Sequence, residues 1–143
     1  MWAPGRRWFT AGCIATLLVA LLHTLGNTLG PSPTDAEYVA MEAAMRDYVV
    51  PLGLGMVPSV WDIYQSLVFT MSLCLVAIGA AGLAMASSPD ATPRLLSRVA
   101  AVLAAVSLAM TVLYVVYQVT PALISLAVVT VLFAVAAVPR RRP

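Results

Sequence analysis

One histidine, two cysteines and six carboxylates are the conventional reactive groups of this 143-residue chain. Histidine is the side chain whose charge changes near neutral pH, so His23 is the natural proton carrier. A carboxylate beside its ring would fix the ring's orientation, as an acid–base pair requires. Asp62 suits that task, and the hydroxyl of Tyr114 is a third candidate catalytic group. Other polar residues share their spacing. His23 and Asn27 are four apart, as are Asp62 and Ser66, with Gln65 alongside; Thr111, Tyr114 and Gln118 follow at intervals of three and four. Each set occupies one helix face, and counting helical rise brings all three to a similar depth. The spacing therefore predicts a polar-lined pocket of His23, Asn27, Trp61, Asp62, Gln65, Thr111, Tyr114 and Gln118. It would bind a lipophilic small molecule or lipid, or serve a membrane-embedded isomerase or cyclase through the His23/Asp62 pair.

Each member also has a plainer use. Ser59-Val60-Trp61-Asp62 reads as a helix N-terminus, with Asp62 favoured there by the helix dipole. Trp61, Tyr64, Tyr114 and Tyr117 suit an interfacial aromatic belt, and His23 can simply bond a neighbouring helix. On that reading the chain is a non-catalytic accessory membrane subunit. With one histidine and no ligand cluster, no metal site is expected, and bis-histidine haem ligation by one chain is impossible. Cys13 and Cys74 form no C-x-x-C pair, which disfavours thiol redox chemistry. No cofactor is expected.

The elements that must carry these residues follow from composition. Hydrophobic residues make up 62% and charged residues 10%, against roughly 45–50% and 25% in soluble domains. Mean hydropathy is +0.94. Too little polar surface remains to coat a soluble globule, which excludes a secreted disulfide scaffold, a disordered tail and a nucleic-acid binder. Four apolar stretches approach the ~20 residues that a membrane crossing needs: about 8–26, 61–86, 95–118 and 121–138. They predict an all-α, polytopic membrane four-helix bundle in one domain. Thr120 and Pro121 mark the start of the last helix, and Ser87-Ser88-Pro89-Asp90-Ala91-Thr92-Pro93 is a polar turn. Seven of the eight arginines (Arg6, Arg7, Arg94, Arg98, Arg140, Arg141, Arg142) then fall on one side, leaving Arg46 on the other. The positive-inside rule makes the chain a multi-pass cell-membrane protein with both termini cytoplasmic. Arg6-Arg7-Trp8-Phe9 is similar to a twin-arginine signal. No small-residue cleavage site follows Leu22, so an uncleaved first span is expected.

An outer cap is expected over about 31–58. Thr34-Asp35-Ala36-Glu37 is a capping-box pattern that opens a short extracytoplasmic amphipathic helix. Its predicted buried stripe is Tyr38, Met41, Met45 and Tyr48, opposite Glu42 and Asp47. The run 51–58 is apolar yet rich in Gly and Pro, so it should fold over the mouth of the bundle. Small residues predict close helix approach: Gly79 and Gly82 in the second span, and Ala101, Ala105 and Ala109 in the third. Packing within the bundle is the first expectation for them, and a homo-oligomer or membrane-protein partner the second.

Ser59-Val60-Trp61-Asp62-Ile63-Tyr64, after Leu22-His23-Thr24-Leu25-Gly26, resembles an uncharacterised family of small four-helix bacterial integral membrane proteins. The specific part is the serine-x-Trp-Asp-x-Tyr start of the second span. Where that family has a basic residue and a glycine after the tyrosine, this chain has Gln65 and Ser66. The resemblance implies a bacterial four-helix membrane protein and carries no activity. In architecture alone the chain is also similar to emopamil-binding and sigma-2 type bundles.

Overall fold

The structure, a computed structural model, describes residues 4–29, 34–116 and 120–138. Five helices follow one another: α1 (Pro4–Leu29), α2 (Ala36–Asp47), α3 (Val60–Ser87), α4 (Pro93–Val116) and α5 (Thr120–Ala137). The protein is all-helical, and α1, α3 and α4 are each long and apolar enough to cross a membrane. With 18 residues, α5 is shorter and rises only about 27 Å. Helix ends lie within a few residues of the predicted ones, and α1 begins four residues before the expected start. The chain divides into two compact units, Met1–Ala20 with Leu75–Pro143, and Leu21–Cys74.

In the first unit the core is built from both chain ends. Phe9, Cys13, Ala86, Leu96, Ala100, Val129, Phe133 and Ala136 form one buried cluster. The rings of Phe9 and Phe133 meet at 5.9 Å in a tilted arrangement, the geometry aromatic pairs favour. Glycines make this closeness possible. A Cβ on Gly12 would stand 2.7 Å from the Phe133 ring, and one on Gly79 would stand 2.7 Å from Leu17. One on Gly82 would collide with the Cys13 sulfur. Gly79 and Gly82 thus do the packing the sequence assigned to them.

The alanine ridge does not. The buried stripe of α4 is Leu96, Ala100 and Ser107, whereas Ala101, Ala105 and Ala109 are exposed. One residue is 100° of helix rotation, so the ridge is turned out of the unit it was expected to pack. Polar contacts close the ends of this unit. The guanidinium of Arg6 donates to the carbonyls of Ser88 (2.8 Å) and Ala91 (3.3 Å) in the α3–α4 turn. Ser97 donates to the Ala137 carbonyl at 2.6 Å, satisfying a C-terminal acceptor that α5 cannot fill itself.

The second unit contains the end of α1, α2, the α2–α3 connection and the first half of α3. The N-cap of α2 is Asp35, whose carboxylate accepts from the Glu37 amide at 2.9 Å; Thr34 was expected to do this. No residue of α2 is buried. Its half-buried positions are Tyr38, Glu42 and Met45, while Met41 and Tyr48 are exposed, so the predicted apolar stripe holds at Tyr38 and Met45 only. The Glu42 carboxylate pairs with Arg46, one turn on, at 2.6 Å. The connection is a small hairpin: the Val50 amide donates to Pro58, Leu52 to Met56, and Val60 to Tyr48. Its side chains are exposed from Pro51 to Val57.

Candidate functional site

Five of the eight candidate residues, His23, Asn27, Trp61, Asp62 and Gln65, belong to the second unit; Thr111 and Tyr114 belong to the first. Gln118 lies outside the described residues, as do Tyr117 and the Arg140–Arg142 positions.

His23 and Asp62 each have a different partner from the one proposed. The His23 Nδ1 is 3.0 Å from the hydroxyl of Ser72, a buried residue near the middle of α3. Asp62 lies ten residues earlier on the same helix, about 15 Å of rise away. Its carboxylate accepts from both the amide (2.9 Å) and the hydroxyl (2.7 Å) of Ser59. The Ser59 hydroxyl oxygen in turn accepts from the Asp62 amide at 3.1 Å. This reciprocal box is what an orphaned helix N-terminus demands, and it keeps the aspartate exposed at the surface. An imidazole–carboxylate dyad is not formed.

Three of the remaining candidates, Asn27, Thr111 and Trp61, also have local partners. Asn27 donates to the carbonyl of His23 at 2.7 Å, one turn back on its own helix. Thr111 donates to the Ser107 carbonyl at 2.7 Å. Trp61 stacks against Tyr64 with ring centroids 5.6 Å apart, and the Arg46 guanidinium lies 4.4 Å above the indole. Gln65 and Tyr114 are half-buried. Two buried hydroxyls do the same: Thr16 bonds the Gly12 carbonyl and Ser107 the Leu103 carbonyl. Back-bonding of this kind removes the cost of a polar group in an apolar interior.

Two residues that matter here were not among the candidates. Ser72, the partner of His23, sits in a mostly apolar run, and its one signal was lying seven residues after Gln65 on the same helix face. Arg46 was visible as the one arginine among the acidic residues of the first connection, and that isolation was its signal.

The described residues also enclose a small cavity. It lies within the first unit, is bordered by Thr16, Leu75, Ser107, Met110, Leu126 and Phe133, and holds about 30 Å³. None of the seven described candidates lines it. Pockets for drug-sized ligands run to roughly 300–1,000 Å³, so this space has room for about one small group. Among the described residues no three His, Cys, Asp or Glu side chains gather as metal ligands would. Comparison with known protein families, with curated proteins and with solved structures finds no match.

Proposed function

We propose that the chain is a small integral membrane protein of the cell membrane that acts as a non-catalytic accessory subunit. It crosses the bilayer four times, with both termini cytoplasmic and α2 outside, as the arginine distribution requires. One observation carries the non-catalytic reading: His23 and Asp62, the groups an acid–base centre would need, are each committed to holding backbone and helices together. Polar residues in spans are the default functional hypothesis; here their hydrogen bonds are structural ones.

An accessory role is favoured by what α4 leaves uncovered. Only 11% of its apolar window is buried, and the exposed Ala101, Ala105 and Ala109 ridge would let a neighbouring helix approach closely. A second reading, binding of a lipophilic molecule, is favoured by the apolar cavity beside Thr16 and Ser107, which such a ligand would have to open.

The test combines two measurements. Native gels of gently solubilised membranes should show the chain in a complex with a different protein. Thermal melts of His23→Ala and Asp62→Asn should fall below the parent, with no difference dependent on a ligand. A chain that migrates alone, whose variants melt normally yet lose a copurifying lipophilic molecule, would establish the second reading instead.

A further inference from the structure

Among the described residues, none covers the apolar tip of the hairpin between α2 and α3. From Pro51 to Pro58 every side chain is apolar or absent, and Leu54 at the apex is 98% exposed. Gly53, Leu54 and Gly55 all take positive φ, at 82°, 51° and 78°. Glycine adopts this region freely, but for leucine it is unfavourable. An apex of this shape ordinarily takes Asn or Gly, so its hydrophobic residue is the anomaly to explain.

We infer that the tip, residues 52–57, is an interfacial anchor that inserts into the headgroup–acyl boundary of the leaflet on its own side. This rests on the reading of α3 as a membrane span. Continuity argues for lipid as the occupant: Ser59 closes the hairpin on Val49 and Val60 already begins α3, so no linker separates the tip from the apolar helix. Trp61 and Tyr64 follow at once, the residue types that mark the membrane–water boundary. The backbone is partly prepared for a drier environment, because Leu52 donates to Met56 and Met56 to Gly53. It is not prepared for full burial. Among the described residues no hydrogen bond reaches the amides of Leu54 and Gly55, and such groups are not tolerated against the hydrocarbon centre. Insertion therefore stops at the boundary, where headgroups and water supply acceptors.

Nitroxide depth measurements in phosphatidylcholine vesicles test this. Native Cys74, exposed and midway along α3, reports whether that helix spans. Leu54→Cys and Asp90→Cys, each with Cys74→Ala, report the tip and the polar α3–α4 turn. The Cys74→Ala chain is the blank for the buried Cys13, and circular dichroism checks each fold. The ratio of oxygen to nickel-chelate collisions should be highest at Cys74 and several-fold higher at position 54 than at position 90. A deep Cys74 with position 54 indistinguishable from position 90 overturns the anchor alone. A Cys74 label open to the nickel chelate overturns the spanning reading and the anchor with it.

Discussion

His23 Nδ1 and the Ser72 hydroxyl, 3.0 Å apart, join α1 to α3 through the chain's single histidine. Interhelical hydrogen bonds of this type in membrane proteins average about 0.6 and reach about 1.7 kcal/mol. His23→Ala and Ser72→Ala should each destabilise the protein by that order, and the double variant should cost little more than either single one. Unfolding titrations in mixed micelles measure the coupling. Strict additivity would mean that the two side chains do not hold each other.

Ser59→Ala removes the hydroxyl that closes the first turn of α3, and loss of such a cap costs about 0.5–2 kcal/mol. Asp62→Asn should weaken the same box while leaving the His23–Ser72 coupling unchanged. The two sets of variants should therefore be additive across sets. Coupling between Asp62 and His23 in the same titrations would restore the dyad that the geometry does not contain.

Gly82→Ala forces a methyl group into the Cys13 sulfur, and overpacking of this kind costs roughly 1–3 kcal/mol. Cys13→Ala made together with it should recover much of the loss, because the obstructing atom is gone. Gly26→Ala meets nothing within 4 Å and should leave stability unchanged or raise it. Thermal melts of the three variants check the order.

Leu54→Asn should be neutral or stabilising in detergent by up to ~1 kcal/mol, since Asn tolerates the left-handed backbone better. Loss of stability there would show that the leucine side chain has an intramolecular contact.

Topology is read in intact cells. A cysteine at Ala36 should react with an impermeant thiol reagent and one at Asp90 should not. The reverse pattern would invert the arrangement of both termini.

Much of this fold was legible because long apolar runs, Pro93 and the turn residues around Asp90 leave few alternatives for where helices begin and end. What was not legible is rotation. A helix apolar all round carries no stripe to say which face is inside, so Ala101, Ala105 and Ala109 were assigned inward although they face out. The cap of α2 moved from Thr34 to Asp35 because both residues can accept from an early amide. Pairing was the least accessible. His23 was matched to the most reactive carboxylate, whereas a hydroxyl at its own depth, Ser72, satisfies it without burying a charge. Asp62 had a nearer obligation to the amide of Ser59.

The order in which the ribosome delivers these residues gives the Arg6 clamp a temporal meaning. The carbonyls it holds belong to Ser88 and Ala91, more than eighty positions downstream. Leu21–Cys74 is one unbroken stretch, whereas the other unit takes its parts from both ends of the chain. During synthesis the unbroken stretch can therefore assemble first, while the leading segment of α1 stands without the glycine-lined surface and the α3–α4 turn it will later join. Arg6 thus works as a late latch, closing the amino end only after the third helix has been made.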